Sequence, residues 1–390
     1  MKSSARAPVG SALAKWSLVA LVNVALIEIL SFAACQVLIA KGLVFYAPSY
    51  SPAEFGDYMW RRDAVLGWTS KTSDASDVDD SGSRRTPAFP EPTAQPNCIS
   101  AYGDSFVWGD EVDDAHAWPN VLSGKLKCRV ANFGVRGYGT DQSLLRFAGN
   151  RQDGASVVLM GYMPENIMRN VNQYRELLYS RQEFGLKPRY DLDGAGGLKF
   201  IPLPTLSEPE FARLVNDPNS QLKDEYFKLD GATGIIRATF PYSFSLARAL
   251  KNDYIAARLK GEQRYFEYYE AGHPSRALPL TEKILGKFHE TASARGKESV
   301  VALIPNCRDL QYYQATGRWS YGNLTMALQK DGIPYFDAGP YLARASASKG
   351  GCTLCRACGG HFNEEGNRLL ATALADYLAA RNLPLQRTIH

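Results

Sequence analysis

The chain has 390 residues, of which 45% are hydrophobic, 22% charged and 11% aromatic, a composition that excludes intrinsic disorder and supports a sizeable core. Forty-four basic residues stand against 40 acidic ones, a formal charge of +4, and no block of five or six Lys or Arg occurs, which argues against nucleic acid as a partner. The length suits two or three domains of about 150 residues or one α/β domain with insertions, and the pattern along the chain favours one large domain.

The first element is a run from Trp16 to Ala40, WSLVALVNVALIEILSFAACQVLIA, that is nearly all apolar. As a helix its roughly 25 residues extend about 37 Å, enough to cross a hydrocarbon core of about 30 Å with modest tilt. Lys2, Arg6 and Lys15 precede it with no acid among them and only Lys41 follows closely. The positive-inside bias therefore places residues 1–15 in the cytoplasm, the span at residues 16–41, and the rest outside, in a bacterial periplasm. A cleaved signal peptide is the competing reading, but its apolar stretch is usually shorter, about 7 to 15 residues. Phe32-Ala33-Ala34-Cys35 faintly resembles a lipoprotein signal, yet a Phe stands where a smaller aliphatic residue is expected and the apolar run continues past the cysteine. Glu28 is costly inside a span and either meets a partner helix or is tolerated, tolerance being the plainer reading.

Residues 42–96 follow as an extended segment. Between Thr69 and Pro96 the composition turns to Ser, Asp, Pro and Thr without apolar periodicity, which reads as a linker or a loop draped over the folded part that separates anchor from domain. The aromatic stretch from Tyr50 to Trp68 has the means to pack locally.

From Asn97 the pattern is strand, turn, helix, repeated. NCISAYGDS, KCRVANFG, GASVVLMGY, ESVVALIPN and GIPYFDAG read as five strands. Between them, AWPNVLSGKL, TDQSLLRFAGNR (with Thr140 as N-cap), LPLTEKILGKFHETASARG and GNLTMALQKD read as helices, and NEEGNRLLATALADYLAARN, capped by Asn363, closes the chain. Short apolar strands alternating with helices predict an α/β fold over residues 97–386, a doubly wound three-layer sandwich with a parallel five-stranded sheet. At about residues 170–273 the alternation breaks, and LSEPEFARLVND and YSFSLARALKNDYIAARLKG read as helices of an insertion.

Cys35 lies in the apolar run, leaving Cys98, Cys128, Cys307, Cys352, Cys355 and Cys358 in the exported part, an even count that suits disulfides in an oxidising compartment. Zinc or a cluster on CTLCRAC is the alternative, but a second C-x2-C pair is missing.

Ligands of open α/β sheets bind at the carboxyl ends of the strands. Gly103-Asp104-Ser105-Phe106 ends the first strand, where a serine can be presented beside a helix N-terminus. Asn132-Phe133-Gly134-Val135-Arg136-Gly137-Tyr138-Gly139 follows the second, Pro164-Glu165-Asn166 the third, and Gly360-His361-Phe362-Asn363 precedes the last helix. Alone, Gly-Asp-Ser is ordinary turn chemistry. Together the four blocks closely resemble the SGNH (GDSL-like) hydrolase superfamily, particularly its membrane-anchored polysaccharide-modifying esterases and acyltransferases, over residues 97–165 and 276–386.

The resemblance implies Ser105 as nucleophile and His361 as general base, with an oxyanion hole formed by the backbone N–H groups of Ser105 and Gly137 and the side-chain amide of Asn166. It implies no cofactor. The family usually places a carboxylate two or three residues before the histidine, but Gly359 and Cys358 stand there. A backbone carbonyl, or a carboxylate from elsewhere such as Asp337, is then left to orient His361, and a disulfide at Cys358 is a further way to fix its loop. In the third block Glu165 or Asn170 could replace Asn166 if the register shifts by a residue.

Asp104, Arg136, Tyr138 and Glu165 are the expected substrate contacts, with Arg169 and Tyr174 also near the pocket mouth. His116, His273, His289 and His390 have ordinary structural explanations, and no carboxylate cluster predicts a catalytic metal. The function implied is a serine-dependent ester hydrolase or O-acyltransferase acting on acyl, foremost acetyl, groups of an extracytoplasmic carbohydrate, with polysaccharide-assembly proteins as partners. A noncatalytic glycan-binding or assembly protein, and a lipase or thioesterase, are the alternatives.

Overall fold

The computed structural model describes residues 9–40, 45–46, 51–70, 77–90, 97–178 and 185–383; Lys2, Arg6, Lys41 and His390 lie outside them. Five apolar segments form one parallel sheet: β1 (Ile99–Gly103), β2 (Val130–Gly134), β3 (Val157–Tyr162), β4 (Glu298–Leu303) and β5 (Tyr335–Asp337). Their order is β2-β1-β3-β4-β5, with Ile99 in register with both Val130 and Val157. Alternate side chains enter opposite layers, and both sets are buried. Ile99, Ala101, Val157, Leu159, Val300 and Ala302 face one layer, and Tyr102, Val158, Met160, Val301 and Leu303 the other. That two-sided burial is why these strands read as unbroken apolar runs. The chain winds one way from β1 to β2 and the other way from β1 to β3, so the crevice at the carboxyl ends of β1 and β3 is the topological switch point.

The N-terminal helix is α1 (Val9–Ala40), and the helices that follow the strands of the sheet or pack on it include α2 (Ser105–Trp108), α3 (Trp118–Leu126), α4 (Thr140–Gly149), α5 (Ala277–Ser293), α6 (Cys307–Thr316), α7 (Gly322–Lys330), α8 (Gly339–Ser346) and α9 (Glu364–Ala380). Asn363 caps α9, accepting from Gly366 N at 3.0 Å. Thr140 does not cap α4. Gly139 holds that position and donates its N–H to Gln142 Oε1, while Thr140 is the first helical residue and donates its own N–H to Asn170 Oδ1. Helices α6 and α8 were not legible in the sequence, because each begins within four residues of a strand end.

The insertion contains an antiparallel hairpin, Arg189–Leu192 with Leu198–Ile201, turning at Asp193 to Gly197. The segment expected as one helix divides into Tyr242–Leu250 and Asp253–Lys260, because Asn252 breaks the run and caps the second piece by accepting from Tyr254 N.

The described parts of residues 42–96 belong to the domain rather than spanning a gap. Tyr58, on a helix from Pro52 to Arg61, stacks on Phe211 of the insertion. Arg84 N donates to Asn132 O and Ser83 Oγ accepts from Asn132 N, covering the free edge of β2. Nor does α1 stand apart. Its stretch from Leu13 to Ala40 is long and apolar enough to cross a membrane, yet Cys35 is buried with Ile236 and Ala249 of the insertion.

Three disulfides pair Cys98 with Cys128, Cys307 with Cys355, and Cys352 with Cys358. The first joins the entrances of β1 and β2, and the other two lie around the loop that carries His361.

Candidate active site

Three glycines let α2 settle onto the ends of the strands. A Cβ at Gly103 or Gly161 would come within 2.3 or 2.1 Å of the Val107 side chain, and one at Gly134 within 2.3 Å of Trp108 N. Asp104 caps α2, its carboxylate accepting from Phe106 N at 2.8 Å, and Ser105 opens the helix at the rim of the switch-point crevice.

His361 arrives from the other end of the chain. Its loop is closed by backbone bonds from Arg356 N to His361 O and from Asn363 N to Leu354 O, and by the Cys307–Cys355 and Cys352–Cys358 bridges. The imidazole packs on Phe106, ring centroids 4.9 Å apart. Its Nε2 lies 2.8 Å from Ser105 Oγ, although 256 positions separate the two residues. That is hydrogen-bond geometry for a base and the hydroxyl it deprotonates.

The carboxylate nearest the outer ring nitrogen of His361 comes from elsewhere in the chain, but it is not Asp337. Asp337 Oδ1 accepts from Tyr321 OH and Gly339 N, anchoring the turn after β5, and none of its contacts reaches His361. Glu111, in the loop after α2, instead places Oε1 3.5 Å from His361 Nδ1, and Asp110 places Oδ2 3.7 Å from Nε2. Sequence reasoning missed both. The available signal was an acid pair directly after the nucleophile's helix, which chain separation from His361 concealed.

Glu111 sits at φ 69°, in the left-handed region that a non-glycine residue enters at a cost of roughly 1 kcal/mol or more. Arg84 holds the loop in that form. Its guanidinium donates to the carbonyls of Trp108 at 2.6 Å, Gly109 at 2.8 Å and Val112 at 2.8 Å, and its Nε pairs with Asp114 at 2.7 Å. Asp110 is paired with Arg136.

Of the expected oxyanion donors, Asn166 is bonded to the residue that precedes the serine and Gly137 lies in the turn after β2. Asn166 is 2% exposed and donates one amide hydrogen to Asp104 Oδ2 at 2.8 Å, leaving the other. Gly137 has φ 77°, and a side chain there would collide with Arg175 Nη1 at 2.1 Å. The alternative Asn170 is engaged between Thr140 N and Thr281 Oγ1.

Two expected substrate contacts are buried instead. Asp104 is fully enclosed, and burial raises its carboxyl above the ordinary range despite Arg169 at 3.6 Å. It positions Ser105 and Asn166. Tyr138 is likewise enclosed and donates its hydroxyl to Trp68 O. Tyr174 is buried in the core. Arg136 is exposed over the Trp108 ring, and Glu165 is partly exposed at ion-pair distance from Arg169.

The other described histidines have structural partners: His116 Nδ1 meets Asp113, His273 Nδ1 meets Ser275, and His289 Nδ1 meets Ser299.

No family model and no curated protein matches the chain. Solved structures similar to it include lipolytic proteins of the G-D-S-L family, an SGNH-hydrolase family esterase and an alpha/beta hydrolase enzyme. LAE5, an alpha/beta hydrolase enzyme from the metagenome of Lake Arreo, is 12% identical over 75% of this chain and 97% of its own, with a TM-score of 0.39. A member of the lipolytic protein G-D-S-L family from Veillonella parvula is 13% identical over 72% and 97%, TM-score 0.35. AlinE4, an SGNH-hydrolase family esterase, is 14% identical over 75% and 99%, TM-score 0.29.

Proposed function

We propose that the chain is a serine-dependent ester hydrolase or O-acyltransferase of the SGNH type, anchored by α1 with its catalytic domain outside the cytoplasmic membrane, acting on acyl groups of a carbohydrate. The observation that carries the acyl chemistry is the 2.8 Å approach of His361 Nε2 to Ser105 Oγ at the switch point. The apolar N-terminal helix supports the anchor, and the extracytoplasmic setting is what favours an acylated carbohydrate as substrate.

In this reading Ser105 Oγ attacks the acyl carbonyl carbon as its proton passes to His361 Nε2. The ring's other nitrogen faces Glu111, which fixes its tautomer and faces the positive charge it then carries. The carbonyl oxygen becomes negative and receives bonds from Ser105 N, Gly137 N and Asn166 Nδ2, each donor worth about 10² to 10³ in rate. Collapse breaks the ester C–O bond, and His361 returns the proton to the departing alcohol. Water or a sugar hydroxyl, deprotonated by His361, then attacks the acyl-serine and releases the acid or a new ester. With Glu111 beside Nδ1, the absence of an acid just before His361 is no argument for a noncatalytic protein.

The purified protein should hydrolyse a small chromogenic acetate ester and take a fluorophosphonate label on Ser105. Ser105→Ala should lose both while keeping its circular dichroism and melting temperature. Undiminished turnover in that variant would remove Ser105 from the reaction.

A further inference from the structure

The insertion carries an exposed apolar patch that the proposed chemistry does not use. Phe240 is 73% exposed, Phe244 66%, Leu250 65% and Leu259 81%. They lie on and beside the helices Tyr242–Leu250 and Asp253–Lys260, amid exposed Arg248, Lys251 and Arg258. The one acid of these two helices, Asp253, is bound to Arg264.

This patch is continuous with α1. Glu28 accepts from Tyr242 N at 2.6 Å, from Ser243 N at 3.4 Å and from the Ser243 hydroxyl. Phe32 packs edge-on against Tyr242 at 4.9 Å, and Cys35 is buried with Ala249. From residue 13 to residue 27, by contrast, every residue of α1 is exposed.

Length decides where this junction sits. A hydrocarbon core of about 30 Å takes about 20 helical residues, and counting from Trp16, next to Lys15, it ends near Cys35. Glu28 then lies about 10 Å inside the outer boundary, and so does the start of the helix at Tyr242. The free half of α1 is too short to span the core alone, so the half docked on the insertion must also be immersed. An intramembrane carboxylate needs a partner, and the N-terminus of the insertion's helix supplies backbone and hydroxyl donors to Glu28.

We propose that residues 240–259 form an interfacial wedge seated in the outer leaflet against α1. In it Phe240, Phe244 and Leu259 contact acyl chains, while Arg248, Lys251 and Arg258 contact lipid phosphates. The wedge fixes the orientation of the catalytic domain on the bilayer. It rests on reading α1 as an anchor, and the experiment separates the two.

The full chain is reconstituted in phosphatidylcholine and phosphatidylglycerol vesicles containing a phosphatidylcholine with a diazirine in its acyl chain, irradiated, and mapped by peptide mass spectrometry. The expected result is label on α1 and on residues 240–259. In the double variant Phe240→Asp/Phe244→Asp, label should be lost from the second region but kept on α1, with turnover of a soluble ester in detergent unchanged. Label on α1 alone overturns the wedge and leaves the anchor. Label on residues 240–259 alone overturns the anchor and supports lipid contact by the wedge. Label on neither overturns both, and a chemical crosslink joining two copies through residues 240–259 when that region carries no lipid label overturns the wedge.

Discussion

Glu111 does two things at once that a surface glutamate has no reason to do: it adopts a left-handed backbone and points its carboxylate at His361 Nδ1, 3.5 Å away. A group at that distance orients the ring rather than touching substrate, and a hydrogen bond would need only a few tenths of an ångström of closure, as catalytic contacts commonly show on substrate binding. Glu111→Gln keeps the size and removes the charge. We expect kcat on a small acetate ester to fall roughly 10- to 100-fold with KM nearly unchanged, and Glu111→Asp to recover part of the loss. A proportional rise in KM with kcat intact would assign Glu111 to binding instead. Asp110 is paired with Arg136 and lies on the serine side of the ring, so Asp110→Asn should alter kcat less than Glu111→Gln.

At the scale of elements, the loop from Trp108 to Asp114 is shaped from outside by Arg84. Removing its guanidinium strands three carbonyl acceptors and Asp114 in a mostly buried setting, where bonds to a charged donor are worth more than neutral ones. Arg84→Met should therefore cost about 2–4 kcal/mol in denaturant unfolding and should lower kcat further than its loss of folded protein explains, because Glu111 loses its support. A variant with full stability and full turnover would show that the loop holds its form alone.

The same loop shows where sequence reading stops. The five strands, the nucleophile turn and the histidine before α9 were legible because each is a local signal: an apolar run, a Gly-Asp-Ser turn, an Asn cap. Arg84 sits in a polar, aperiodic stretch, and its partners are backbone carbonyls that every residue type possesses. Glu111 is an acid in a polar loop whose meaning depends on a residue 250 positions away. The contact of α1 with the insertion is hidden for the same reason: Glu28 looks like a lone misfit until the helix starting at Tyr242 is placed beside it.

At the scale of the whole molecule, Asp309, which is buried, and Asp337, which is mostly enclosed, have hydroxyl and backbone donors as their hydrogen-bond partners and set a pH dependence. Asp309, in the first turn of α6, accepts from Tyr265 OH and Ser320 Oγ at 2.9 Å and from Asn306 N at 3.0 Å, and burial pushes it up to about 7. Burial raises Asp337 as well. In the unfolded chain both return to the ordinary carboxylate range near 4. Between about pH 4 and pH 7 Asp309 therefore holds in the fold a proton that the unfolded chain has released, so its ionisation erodes stability as pH rises, and Asp337 acts in the same direction. The contribution of Asp309 is complete below about pH 4 and gone above about pH 7, with a slope of up to about 1 kcal/mol per pH unit. Other carboxylates titrate in the same range, which makes the difference between two proteins the informative quantity. Asp309→Asn replaces the acid by a group that never ionises, so the stability of wild type minus that of the variant should fall steadily from pH 4 to pH 7 and level off beyond. Denaturant unfolding at each pH measures it. A difference that stays flat across this range would mean that Asp309 is ionised in the fold throughout, with solvent or a partner reaching it that the static packing excludes.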